Sequence, residues 1–293
     1  MGIPVTGTYV IAAIRSESAD ADGAYGVDLD GRDSGNVYPG TVDMCTDAPD
    51  RISADTGLGG VDDQLSTVVP FLDAVIGSGA EGTFDDTLAT AIERGVFAIV
   101  LDVTSVSADV CARRVHAWTA RTSSGAAPAA SATCAPSRTQ SACDPACAWS
   151  MSAAACSGIA PAQSWIAVDD LGEVDAVVTA GRFRTQPLPR LTLRPFITPR
   201  GHAGAVAPID LHDVVFEGRV DADGITHGDL GGAIHVADVV PWLNTYVVPD
   251  QPSDPTTLAA LLLPDLAPSA DGHSCADFSA GFGFTAIAAT LVH

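Results

Sequence analysis

Lysine is absent from this chain: all fourteen basic residues are arginine, set against 36 acidic ones, for a formal charge of −22. Without an amine side chain there can be no P-loop lysine, no Schiff-base lysine and no Ser–Lys dyad. Glutamate is scarce as well. Only Glu17, Glu81, Glu93, Glu173 and Glu217 occur, so aspartate supplies the other 31 acids. A chain this anionic repels phosphate backbones and anionic membrane surfaces, which argues against a nucleic-acid partner. No stretch approaches the roughly 20 apolar residues of a membrane-spanning helix, so no transmembrane segment is expected. The H-E-x-x-H pattern of a zinc protease is missing. So is the G-x-S-x-G elbow, because Phe278-Ser279-Ala280-Gly281 lacks its leading glycine.

What remains is ordinary globular material with an unusual charge. A hydrophobic fraction of 47% over 293 residues can bury a core, as one large domain or two smaller ones. Aspartate-rich surfaces take divalent cations as counterions, since carboxylates are hard oxygen ligands. A salty habitat and a GC-rich genome would produce the same excess. Met1-Gly2-Ile3-Pro4 runs directly into a strand-like stretch, as expected of a chain whose leader has been trimmed.

Seven cysteines occur, and four form a symmetric C-x8-C-x3-C-x8-C array: Cys134, Cys143, Cys147 and Cys156. The residues between them are mostly Ala, Ser, Pro and Thr, which build no core, so something covalent or metallic must hold the segment. Disulfides formed in an oxidising compartment are the favoured reading. The rival is a four-thiolate zinc site, but such sites normally use C-x2-C pairs. Cys45, Cys111 and Cys275 would give a third bridge and one free thiol.

Periodicity predicts a strand over Gly7–Ala13, a helix over Asp62–Ile76 flawed by Pro70, and a second helix opened by a Thr83/Asp86 capping box and ended at Gly95. Val96–Val103 reads as a buried strand with Val110–Thr122 as its antiparallel partner. Residues 123–163 form the cysteine-rich insertion. Beyond it, Trp165–Val168, Ala176–Phe183, Arg190–Ile197 and Val214–Val220 read as short strands, Ile234–Leu243 as a helix and Phe282–Val292 as a strand. The expected fold is therefore α+β, mainly β: an antiparallel β-sandwich-like core with a few helices and a disulfide-stapled insertion. The regions are 1–122, 123–163 and 164–293, the first and last being compatible with one domain.

The clearest local motif is Asp28-Leu29-Asp30-Gly31-Arg32-Asp33, preceded by Asp20 and Asp22. Alternate aspartates on a turning loop aim oxygens inward, and glycine permits the bend, so Asp20, Asp22, Asp28, Asp30 and Asp33 are the candidate Ca2+ ligands. It is not an EF-hand, because position 12 counted from Asp28 is Pro39. The alternative is a solvated turn in which each aspartate bonds its own backbone. His227 and His235 stand eight apart, His202 and His212 ten apart, and neither spacing marks a metal site. Gly224–Gly232 lacks dinucleotide-loop spacing and reads as close backbone packing. A Ser-His-Asp set or a carboxylate pair assembled from distant residues stays open, with Asp28 or Asp30 as acid and base.

Four segments in order, Tyr25–Gly31, Gly60–Leu65, Gly231–Ile234 and Cys275–Ala286, resemble a group of secreted, lipoprotein-like proteins from myxobacteria and related bacteria. That group carries GxDLDG, GxDNQL, LGGAI and DAxSxGxGFTA stretches. The likeness spans most of the chain outside the cysteine-rich insertion. Asp63 stands where asparagine is usual, and the lipobox cysteine is missing, as expected if it left with a leader. The resemblance implies an envelope or extracellular setting and supplies no activity. The sequence thus points to an extracytoplasmic, Ca2+-binding surface or secreted protein of binding or structural type, with an unknown ligand and self-association open. The rivals are a secreted hydrolase working through aspartate carboxylates and a self-assembling envelope component.

Overall fold

A computed structural model of the protein describes residues 6–16, 23–29, 51–53, 60–76, 83–93, 97–105, 112–122, 164–179, 181–197, 205–220, 224–247, 266–268 and 275–292. The strands are β1 (Gly7–Arg15), β2 (Gly23–Ala24), β3 (Ile52–Ser53), β4 (Ala98–Ser105), β5 (Ala112–Thr122), β6 (Ser164–Thr179), β7 (Arg182–Thr185), β8 (Leu188–Leu193), β9 (Phe196–Ile197), β10 (Ala205–Val206), β11 (Ile209–Val220), β12 (Gly224–His235), β13 (Leu266–Pro268), β14 (Cys275–Ala288) and β15 (Thr290–Val292). Among the described residues there are also three short helices, α1 (Leu65–Ile76), α2 (Phe84–Glu93) and α3 (Val236–Trp242), with a π-helical turn over Leu243–Val247 following α3.

The sheet does not form a sandwich. Strands β1, β4, β5, β6, β7, β11, β12 and β14 follow one another antiparallel around a ring, and β14 pairs back onto β1 from Tyr9↔Ala288 to Arg15↔Gly283. The result is a closed eight-stranded barrel rather than the expected two-sheet core. The physical reason lies in features that look like turns in sequence. Asp169-Asp170 and Gly172 seem to end a short strand at Val168, yet β6 runs through them for 16 residues. They sit opposite register shifts at Ala117/Trp118 and Thr119/Ala120, and Gly172 takes φ 104°. Such bulges bend a long strand, and bending is what lets a sheet close on itself. Strands from 1–122 and 164–293 share the one ring. Cys134, Cys143, Cys147 and Cys156 lie outside the described residues.

Aromatic and aliphatic side chains fill the barrel, as eight strands leave room for little else. Phe216 meets Phe284 edge-on with ring centroids 6.1 Å apart. Phe183, Phe282, Leu101, Val103 and Val115 are buried around them. The outward faces carry paired charges instead: Arg114 with Glu173 at 3.3 Å, His116 with Asp170 at 2.7 Å, and Arg182 with Glu217 at 3.0 Å. A lipid-facing barrel wall would carry an apolar band there. No helix among the described residues is long and apolar enough to cross a membrane.

Two features of the wall position everything that follows. First, the outer face of β12 and β14 lacks side chains at Gly231, Gly281 and Gly283, and the segments 23–29 and 60–64 lie in that groove as a strap. A Cβ on Gly231 would come within 2.5 Å of Val27, and one on Gly283 within 2.5 Å of the Tyr25 ring. The glycine-rich stretches thus serve close packing, as expected. Second, the connections differ sharply between the two ends of the ring. The strand ends Ser105/Ala112, Thr179/Arg182 and Val220/Gly224, each pair close in sequence, stand at one end. The ends Arg15/Ala98, Thr122/Ser164, Thr185/Ile209 and His235/Cys275, each pair far apart in sequence, stand at the other. Long connections gathered at one end of a rigid scaffold are where binding surfaces are built.

Candidate functional site

That end of the barrel, the mouth, is covered by the three helices, and each is fastened by a different device. The strap leads into α1 through Asp63, whose Oδ1 accepts the Ser66 N–H (3.2 Å) and, across to β14, the Gly281 N–H (3.1 Å). The Gln64 N–H is bonded to Ser279 Oγ at 2.9 Å. Leu65, Val68, Val69 and Leu72 then recur at helical spacing and face the barrel. The Thr83/Asp86 capping box forms as predicted: the Thr83 N–H donates to Asp86 (2.8 Å) and the Asp86 N–H to Thr83 Oγ1 (3.3 Å). Asp73 of α1 accepts the Phe84 N–H at 2.6 Å, joining the two helices, and burial raises its pKa. Asp85 accepts both the N–H and the hydroxyl of Ser16 at 2.7 Å, tying α2 to the end of β1. Asp85→Ala should therefore cost about 1–2 kcal/mol in urea unfolding; an unchanged midpoint would mean this tie contributes nothing.

The third helix is held most lightly. It has no side-chain N-cap, contains Pro241 and buries none of its residues fully. Its root is His235, whose Nδ1 is hydrogen-bonded to Asp277, and its far end is held by Trp242 Nε1 donating to the Ala207 carbonyl at 3.4 Å. The His212 ring lies 4.1 Å from that of His235. The hydrogen bond to Asp277 raises the His235 pKa, partial burial opposes it, and the charges of Asp277, Asp238 and Asp213 add to the rise. The neighbouring Asp213 takes φ 52° where β11 bulges between His212 and Val215. Among the described residues, no hydroxyl or thiol is hydrogen-bonded to His235.

Between helices and barrel lies a cleft of about 240 Å³. Ile234, Phe278 and Phe282 form its barrel side, Pro208 and Ile209 one flank, Leu65, Val68, Leu72 and Phe84 the α1–α2 side, and Val239 with Trp242 the α3 side. Two carboxylates interrupt this apolar lining, Asp210 and Asp238. Burial alone would raise the Asp210 carboxyl. Hydrogen bonds from Arg190 and Thr192, with the charges of Arg190 and His212, outweigh that and hold it below the usual range. Asp73 and Asp63 are raised, and neither is among the cleft's described lining; Asp63 lies behind the sheet under the strap. There burial pushes it up to about 7 against the lowering hydrogen bonds from Gly281 and Ser66 and the Arg51 charge. Its Oδ2 is buried without a hydrogen-bond partner.

Of the five candidate Ca2+ ligands, only Asp28 is among the described residues; Asp20, Asp22, Asp30 and Asp33 lie outside them. Asp28 contributes a backbone carbonyl that accepts from Arg184. The next residue's N–H donates to Asp62 Oδ2 at 2.6 Å. No group of three metal-capable side chains occurs among the described residues. The structure brings His212 beside His235 because β11 and β12 are neighbours, and His202 lies outside the described residues. Asp63, Asp210, Asp238 and Trp242 were not singled out as site residues by sequence reasoning. Asp63 had a local signal, an acid ahead of a helical apolar run; the others had none. No protein-family model matches the chain, and no curated protein or solved structure matches it.

Proposed function

We propose that this is a binding protein of the cell envelope or extracellular space, holding one small, largely apolar ligand at the mouth of its barrel. The observation that carries the reading is the apolar cleft between α1, α2, α3 and the barrel. Concave apolar sites with a few polar groups, at the mouths of β-barrels, are the ordinary form of small-molecule sites. An apolar cavity of roughly 150 Å³ takes a benzene, so about 240 Å³ suits a somewhat larger body. The cysteine array and acidic composition support the location.

Hydrolysis by paired carboxylates is disfavoured by where the perturbed groups stand. A general acid needs a raised pKa inside the pocket. Here the raised carboxyls, Asp63 and Asp73, are not among the cleft's described lining, and the cleft's Asp210 is lowered. The test is calorimetric titration with n-butylbenzene, a neutral probe. One site is expected, and Val68→Phe, which fills the cleft, should weaken binding at least tenfold while leaving the far-ultraviolet circular dichroism unchanged. No saturable heat, or binding indifferent to Val68→Phe, would remove the proposal.

A further inference from the structure

We propose that the cleft selects an organic cation, a primary or quaternary ammonium group carried on a small apolar body; this rests on the reading of the cleft as a binding site. Among the described residues, the ionisable side chains lining it are carboxylates, with no arginine or histidine. The two are not equivalent. Asp210 is already engaged by Arg190 and by the Thr192 hydroxyl at 2.5 Å. Asp238 has no hydrogen bond or close ion pair among the described residues; it feels the Arg190 and His235 charges only at longer range, and it is exposed at the rim.

Position adds a second argument. Asp238 and Trp242 stand four residues apart on α3, on one face of the helix, and both line the cleft. The indole is fixed by its hydrogen bond to Ala207 and packs beside Tyr246, ring centroids 6.4 Å apart. A carboxylate and an indole one turn apart are the paired elements that recognise an ammonium group, the first by charge and the second by its π face. The apolar floor formed by Phe278, Phe282 and Ile234 takes the rest of such a molecule. An anionic head would meet two carboxylates in the lining, with the nearby Arg190 already engaged by Asp210. A net charge of −22 reinforces the preference by concentrating cations near the surface.

The experiment compares three probes of one shape by calorimetry on the whole chain: 4-phenylbutylamine, n-butylbenzene and 4-phenylbutyrate. The amine is expected to bind roughly tenfold more tightly than the neutral probe, and the carboxylate most weakly. Asp238→Asn should remove the amine's advantage and leave n-butylbenzene binding as it was. Equal affinity for all three would overturn the cation inference while leaving the apolar site intact. An amine preference that survives Asp238→Asn would overturn it too, tracing the selectivity to overall charge. If none of the three binds, the site itself is wrong, and the inference falls with it.

Discussion

Replacing Asp63 with asparagine is expected to stabilise the protein by roughly 2–4 kcal/mol at pH 8 and to change little at pH 4.5. The wild-type carboxyl is fully enclosed by the strap, α1 and β14, and one of its oxygens has no partner. Moving it from an ordinary 3.8 to about 7 removes on the order of 4 kcal/mol from the folded state once both folded and unfolded forms are ionised. The sign follows from proton counting. Between pH 4 and pH 7 the folded protein keeps a proton on Asp63 that the unfolded chain has released. Stability contributed by this group therefore falls as pH rises through that window and is level above it.

Asparagine keeps the acceptor that Asp63 offers to the Gly281 and Ser66 amides, at 3.1 and 3.2 Å. Its amide nitrogen occupies the place of the partnerless oxygen. An unpaired NH2 there costs something, but far less than a buried charge. Urea unfolding of both proteins at pH 4.5, 6, 7 and 8 is the measurement. Repulsion among the many other carboxylates is common to both, so the difference between the two curves isolates position 63. A difference that stays constant across the series would show that Asp63 titrates normally.

The contrast between readable and unreadable parts of this molecule has a physical origin. Strand β1, the β4–β5 pair and the α2 capping box are each specified within a dozen residues, by alternation or by a cap. All three stand in the structure close to where the pattern puts them. Closure of the barrel is different. It depends on β6 continuing through Asp169, Asp170 and Gly172, residues whose local signal is a turn, and on β14 meeting β1 across almost the whole chain. The cleft is less legible still. Ile209, Ile234, Phe278, Leu72 and Trp242 become neighbours only because α1 and α3, far apart in sequence, both pack over one end of the ring. Asp28 is a different case. Its acidic motif is conspicuous, yet the described contact it makes to Arg184 is through a backbone carbonyl that any residue could offer.

Adding a single methyl group at Gly281 should damage the protein more than any other exchange of comparable size in the strap's groove. The Cβ would lie 2.0 Å from the Tyr25 carbonyl oxygen and 3.0 Å from the Gly26 Cα. Both obstacles are backbone, so no side-chain rotation relieves the overlap. Gly26 cannot give way easily, because its φ of 118° suits glycine and its own Cβ position is 2.9 Å from the Gly281 Cα. The strap must lift instead, straining the Gly281–Asp63, Gly26–Asp229 and Gln64–Ser279 hydrogen bonds together. Overpacking and loss of buried hydrogen bonds sum to roughly 3–5 kcal/mol. Since residues 60–64 run directly into α1, the wall formed by Leu65, Val68 and Leu72 should shift, and affinity for n-butylbenzene should fall alongside stability. Gly181→Ala is the control. Its φ of 84° disfavours alanine, but the added methyl would touch nothing within 4 Å, so about 1 kcal/mol is expected. If the two variants unfold at the same urea concentration, the strap is not held against β14 by this contact. The route by which α1 is positioned over the mouth would then have to run through α2 and its tie to Ser16.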